Sequence, residues 1–185
     1  MRNALTRTDR YTRVVIALHW LIAALILFNL WLGLAHDSLP RDWKVMPVHK
    51  AVGITVLALT LVRIGWRIAH PAPPLPDTVP RWERLAARAN HFGFYALMLL
   101  IPLTGWAMVS GTDKRRPLDW FGVFDIPYLP VSNAVGGVGH ELHEVLGWLM
   151  IALIVLHVAA ALKHQFVSRD AVLTRMLPFV RPPAG

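Results

Sequence analysis

Residues 14–35 read VVIALHWLIAALILFNLWLGLA, twenty-two positions with no acidic or basic side chain. A bilayer core takes about 20 apolar residues in a helix, so this stretch is long enough to cross one. Three further runs have the same character, residues 45–66, 89–109 and 142–162. The pattern predicts an all-α integral membrane protein, a four-helix bundle built as a single transmembrane domain over residues 1–185. Between the second and third runs, PAPPLPDTVP reads as a stiff, extended link. The RWERLAARANHFGFY that follows suits an interfacial helix entry, with Trp82 and arginines at headgroup level. The longest connection, residues 111–139, opens with a basic cluster and contains LDWFGVFDIPYLP. Its aromatics read as interfacial anchors or as the wall of an outer slot.

Composition agrees with a membrane class: 55% of residues are hydrophobic, and the mean hydropathy is +0.46. The first run follows Arg2, Arg7, Arg10 and Arg13 as a signal peptide would. It is longer than the roughly 7 to 15 residues of a signal core, so it is expected to stay as a span. The chain has no cysteine. That excludes a disulfide framework, cysteine-held iron–sulfur clusters and covalent haem attachment through C-x-x-C-H.

Charge sets an expected orientation. The face holding the N-terminus, the second connection and the C-terminus carries thirteen of the nineteen Lys and Arg residues against four acids, Asp9, Asp77, Glu83 and Asp170. The opposite face carries six cations against seven acids. The excess of Lys and Arg marks the cytoplasmic side, so both termini are expected in the cytoplasm. Topology accounts for the net charge of +8, and no nucleic-acid partner is needed to explain it.

Nine histidines remain to be placed. His36, His70 and His140 fall at expected helix ends or in loops and suit the headgroup zone. The others lie in or near the spans, where an ionisable side chain is costly and marks function. His19 is six residues into the first span, and His157 is six residues from the end of the fourth, so they share the inner level. His49 and His143 share the outer level. His143 and His157 are 14 residues apart, about 21 Å of rise and about 40° short of four turns, so one helix offers an imidazole at each leaflet. Four residues after these histidines stand Ala23, Gly53, Gly147 and Ala161, small enough to leave room for a flat group beside each. His91 is followed by Tyr95, which counts against it. Small residues also serve ordinary helix packing in membranes.

A zinc site would take four N or S ligands, or three with water. Two imidazoles from facing helices suit the two axial positions of a haem iron in a bundle core, and a doubly ligated iron suits electron transfer. Arg63, 14 residues after His49, lies at the inner level as a propionate partner or a snorkelling anchor. Arg67 lies one turn further out, and Lys50 adjoins the outer site. His164, seven residues after His157 and beside Lys163, is the candidate contact for a quinone carbonyl, or else an interfacial histidine.

ALHWLIA, VHKAVG, NHFGFYALMLLIPLTGW, HELHEVLGW and LHVAAALKHQFVSRDAVLTRMLP together resemble the bacterial cytochrome b561 family, over nearly the whole chain. The resemblance implies a multi-pass protein of the bacterial inner membrane with two b-type haems, His19 with His157 and His49 with His143 as axial pairs. The compact chain looks like the subgroup that oxidises periplasmic superoxide and reduces ubiquinone. Other relatives are membrane-anchor subunits exchanging electrons between the quinone pool and a dehydrogenase or another redox protein, so the donor stays open. For a superoxide donor, Lys50, Lys114, Arg115 and Arg116 would focus the anion on the outer site. Asp113, Asp119, Asp125, Glu141 and Glu144 share that face, and the basic triplet also reads as a solvated loop tip.

Overall fold

The computed structural model describes residues 11–71, 79–170 and 172–177. Arg2, Arg7, Arg10 and Arg181, and most of the proline-rich link, lie outside the described residues.

Four helices carry the chain: α1 (Arg13–Ala35), α2 (Val45–Ala69), α3 (Arg81–Ser110) and α4 (Asn133–Lys163). Each is long and apolar enough to cross a membrane. Thr12 caps α1, its hydroxyl accepting from the Val15 amide at 3.3 Å. Pro80 precedes the first turn of α3 and Pro47 sits in the first turn of α2, where a missing N–H costs nothing. Large apolar side chains such as Trp20, Leu27, Phe28, Leu61 and Val155 face outward, as a bundle in lipid requires. Ile22, Leu97, Met98 and Met150 make the buried centre. Helix hydroxyls bond back to their own turns: Thr55 to the Ala51 carbonyl, Thr60 to Val56 and Ser110 to Trp106. These three hydroxyls are thereby satisfied within their own helices.

Two helices begin earlier than the hydrophobic runs do. The interfacial entry over residues 81–95 is continuous with α3. α4 starts at Asn133 rather than near Leu142, capped by Ser132, whose hydroxyl accepts from the Val135 amide. The reason is glycine. A Cβ on Gly136 would lie 2.3 Å from the Gly111 carbonyl oxygen, and one on Gly139 2.9 Å from the Thr104 oxygen. This glycine-rich stretch reads as loop in sequence, but it is a helix laid against the backbone of α3. His140 is therefore inside α4, exposed, with Nδ1 at 3.1 Å from Met108 Sδ, and not in a loop.

The remaining outer connection folds down over α2. Two short antiparallel strands, β1 (Asp119–Trp120) and β2 (Phe124–Asp125), flank a tight turn. Its central residues Phe121 and Gly122 both have positive φ, 50° and 72°. Trp120 Nε1 donates to Thr55 Oγ1 at 3.0 Å, Lys50 Nζ donates to the Pro117 carbonyl, and Trp106 Nε1 donates to the Pro127 carbonyl. The aromatics thus divide. Trp120 is fastened to α2, whereas Phe121 and Phe124 stay exposed.

At the opposite end α4 runs into a π-helical turn, His164–Ser168, and then a short 3-10 turn, Leu173–Arg175. Trp20 Nε1 donates to the Met176 carbonyl at 2.9 Å, which pins this returning segment to α1.

Candidate functional site

The bundle brings the histidines together at two levels. At the outer level the rings of His49 on α2 and His143 on α4 have centroids 6.0 Å apart. His49 Nδ1 donates to the Asn29 carbonyl of α1 at 3.1 Å, and His143 Nδ1 donates to the Ile101 carbonyl of α3 at 2.9 Å. A carbonyl only accepts, so in each ring Nδ1 carries the proton and Nε2 keeps its lone pair. That is the tautomer a metal-ligating imidazole needs, held by its outer hydrogen bond. Ile101 precedes Pro102, which interrupts the α3 ladder, and its carbonyl also accepts from Thr104 Oγ1.

Glycines seat these rings. A Cβ on Gly33 would approach His49 Cε1 to 3.2 Å, and one on Gly105 would approach His143 Cε1 to 3.0 Å. Gly147 is open, with nothing within 4 Å of such a Cβ, and at Gly53 only Asn29 Nδ2 comes near, at 3.7 Å. The small residues one turn after His49 and His143 therefore leave space, as their spacing suggested. Gly33 and Gly105, on neighbouring helices, carry no sequence signal of their own, because only packing places them against a histidine.

A cavity of about 510 Å³ lies at this level, lined by His49 and His143 with mainly apolar residues of all four helices, Ile26, Leu97 and Ile151 among them. That is within the usual range for a cofactor site. It adjoins a second space of about 400 Å³ lined by Met46, Lys50, Met108, Lys114, Arg116 and His140. Arg115 is placed differently, with its guanidinium 4.9 Å from the Tyr128 ring centroid. Of the basic triplet, Lys114 and Arg116 line this mouth.

At the inner level His19 of α1 and His157 of α4 have ring centroids 6.3 Å apart. His91 of α3 is 5.9 Å from the same His157 ring, so three imidazoles meet there and His91 is not set apart. Arg63 reaches this level as its spacing suggested. Its Nη2 is 3.4 Å from His19 Nδ1, its charge lies over the Tyr95 ring at 5.5 Å, and its Nε is buried with no hydrogen-bond partner. Asn90 Nδ2 is 3.4 Å from His157 Nδ1 while Asn90 Oδ1 is buried and unpaired. A half-turn of that amide puts an acceptor on His157 Nδ1 and gives His157 the tautomer seen at the outer pair. Arg67 lies over the Tyr11 ring at 5.7 Å.

His164 begins the π-helical turn. Its Nδ1 is 2.6 Å from Asp170 Oδ2 and its Nε2 is 3.6 Å from Glu83 Oε2. His36 and His70 cap α1 and α2 and bond to Gly33 and Trp66 carbonyls, as histidines at an interface do.

Among the described residues no cluster of three or more His, Cys, Asp or Glu side chains is arranged to hold a metal ion. The facing pair His49 and His143, beside an apolar cavity, fits the two axial positions of a haem.

Comparison with known proteins gives the family. Residues 10–179 match the family described as prokaryotic cytochrome b561. The chain is 37% identical to cytochrome b561 homolog 2 of Escherichia coli K12, over 91% of this chain and 92% of that one. It is 33% identical to cytochrome b562 of Cereibacter sphaeroides, over 94% and 98%. It is 28% identical to the probable superoxide oxidase CybB of Yersinia pestis, over 91% and 96%. The chain belongs to the prokaryotic cytochrome b561 family, multi-pass bacterial membrane proteins that carry electrons across the membrane through haem b.

Proposed function

We propose that this protein takes electrons from superoxide outside the bacterial inner membrane and delivers them to ubiquinone at the inner face, through two b-type haems. His49 and His143 hold the outer haem and His19 and His157 the inner one. Both termini lie in the cytoplasm, in keeping with the split of Lys and Arg between the faces. The observation that carries this reading is the outer pair: two imidazoles, each with Nδ1 tied to a backbone carbonyl and Nε2 left free, beside a cavity of about 510 Å³. Bound at these two levels, haem supplies reversible one-electron chemistry spaced across the bilayer.

The protein's own residues do the rest. Apolar walls exclude water. Asn29 and Ile101 fix the outer rings from α1 and α3, so the ligands are oriented before anything binds. Arg63, with its unpaired Nε, offers a propionate a buried cation at the inner level. Lys50, Lys114 and Arg116 line the mouth beside the outer cavity, where they raise the local concentration of a small anion although the face as a whole is not basic. His164 contacts the quinone carbonyl at the inner end.

Stopped-flow mixing of the oxidised protein with superoxide, followed at the haem α-band, tests the donor. Reduction is expected to slow as ionic strength rises, since exposed charges are screened beyond about 8 to 10 Å at physiological salt. Neutralising Lys114 and Arg116 together is expected to lower the second-order rate while both haems stay bound. Neutralising Arg115, engaged on Tyr128, is expected to do less. Rates indifferent to salt and to the double neutralisation would remove the steering claim. No reduction by superoxide would favour a haem-bearing anchor that exchanges electrons with a dehydrogenase or another redox protein.

A further inference from the structure

α4 does not simply stop at the inner face. After Lys163 the backbone widens into the π-helical turn His164–Ser168, and Arg169 follows in the left-handed region at φ 50°. π turns are rare, weaken the helical ladder and gather at functional sites. Here the turn reverses the chain. The Asp170 amide donates back to the His164 carbonyl at 3.2 Å. The Asp170 carboxylate then has both oxygens engaged: Oδ1 accepts from the Val172 amide at 3.0 Å and Oδ2 lies 2.6 Å from His164 Nδ1. Asp170 is thus fixed by backbone and in turn fixes the ring, with the proton on Nδ1. That leaves Nε2, the other nitrogen, facing Glu83 Oε2 of α3 at 3.6 Å. The second oxygen of Glu83 is 2.5 Å from Lys163 Nζ.

The Lys163 side chain is 42% exposed, while Glu83 is at 11%, His164 at 13% and Asp170 at 15%. The two carboxylates and the imidazole are thus enclosed to a similar degree, and Lys163 is the member of the cluster that meets solvent. A plain staple between α3 and α4 would need the Lys163–Glu83 pair alone, and such pairs are worth little when one partner is exposed. It would not need a second carboxylate seated on the far nitrogen of a half-enclosed imidazole. An imidazole oriented by one carboxylate and approached by another at its free nitrogen is the arrangement of a general acid with an orienting partner and a proton source.

Resting on the reading of His164 as the quinone contact, we propose that Asp170 orients His164 and that Glu83 reloads it, so that these three residues feed the protons consumed when quinone is reduced. Reduction of one quinone takes two electrons and two protons, and the electrons come from two superoxide ions, each leaving as oxygen. For each proton, the His164 Nε2–H bond breaks as an O–H bond forms on a quinone carbonyl oxygen. The Glu83 carboxylate, paired with Lys163, then takes a proton from solvent on the Lys163 side and passes it to Nε2, returning to the carboxylate. The Nδ1 proton stays on the ring beside Asp170 throughout. The 3.6 Å between Nε2 and Glu83 Oε2 is closed by a side-chain torsion of Glu83.

The purified protein with both haems, reduced with dithionite and mixed anaerobically with a short-tailed ubiquinone analogue, tests this. Haem reoxidation and proton uptake by an indicator dye are followed together. Glu83→Gln and Asp170→Asn are each expected to slow reoxidation at saturating quinone by about 100-fold, the lower end for loss of a general acid or base, with an unchanged half-saturating quinone concentration. Added formate is expected to restore Glu83→Gln, and Asp170→Glu to restore much of the Asp170→Asn loss. In protein labelled with ¹⁵N at histidine, Asp170→Asn is expected to move the His164 Nδ1 resonance. If Glu83→Gln loses haem because Lys163 is stranded, the double variant Glu83→Gln/Lys163→Gln removes that charge and is held to the same outcomes. Wild-type rates in the Glu83 and Asp170 variants, with His164→Gln still impaired, would overturn the relay and leave the quinone contact standing. An unimpaired His164→Gln would overturn both. Slowing that formate does not relieve, with an unmoved His164 resonance, would reduce the cluster to a staple and overturn the proposal.

Discussion

Replacing His49 or His143 with alanine is expected to remove one haem and keep the other, and replacing His19 or His157 is expected to remove the other one. Each pair lies at its own level, and His143 and His157 are about 21 Å apart along one helix. Loss of an imidazole at one end therefore leaves the pair at the other untouched. At the outer level the variant also removes the hydrogen bond that Nδ1 gives to the Asn29 or Ile101 carbonyl. Such a bond is worth about 0.5–1.5 kcal/mol net, so some loss of thermal stability should accompany loss of the haem. The inner level is the harder test. His157 has His91 at 5.9 Å and His19 at 6.3 Å, so distance does not choose between them. The choice of His19 rests on Ala23 one turn on, against the bulk of Tyr95 one turn after His91, and on Arg63 beside His19. His91→Ala is thus expected to keep both haems. Haem-to-protein ratios with low-temperature α-band spectra settle this. An intact His91 variant with one haem would hand the ligand role to His91, and a wild-type protein with one haem would refute the two-site reading.

What the sequence made legible is what helical periodicity controls. The four spans follow from runs of about 20 apolar residues, and the two levels of histidines follow from counting rise along them. The residues that escaped are those whose partners lie on another helix. Gly33 and Gly105 look like any membrane-helix glycine until a histidine on α2 or α4 is laid across them. Asp170 and Glu83 entered only as charges on the inner face. Asp170 meets His164 through a π turn, a geometry that no i, i+4 rule anticipates. Glu83 meets it from the start of α3, more than eighty residues away along the chain, across a helix pairing the sequence did not specify. The early start of α4 escaped for a related reason. NAVGGVGHE has too little apolar character to read as a span, and its glycines are selected by the backbone of α3 rather than by lipid.

That contact leads to the second large effect. Gly136→Ala is expected to destabilise the protein and loosen its outer haem, and Gly136→Val to prevent assembly. α3 and α4 touch backbone to backbone where they meet beneath the outer connection. A Cβ on Gly136 would lie 2.3 Å from the Gly111 carbonyl oxygen and 2.8 Å from the Gly111 Cα, and one on Gly111 would lie 2.6 Å from the Ser132 oxygen. No rotamer relieves a clash with backbone, so the helices must separate. Overpacking of this kind costs about 1–3 kcal/mol and sometimes more. Lipid tails offer no hydrophobic force to press the helices together again, because association in a bilayer depends on close van der Waals packing. The separation would be felt nearby. His143 rests against Gly105 and bonds to the Ile101 carbonyl, both on α3, so widening the gap loosens the outer imidazole pair. Gly137 is the control one residue away: nothing lies within 4 Å of a Cβ built there. Gly137→Ala is expected to be neutral, or to gain up to about 1 kcal/mol from helix propensity. Thermal melts in detergent followed by haem absorbance, with haem-to-protein ratios, compare the pair. Equal melting temperatures for the Gly136 and Gly137 alanine variants would show that the backbone contact does not hold the two helices together.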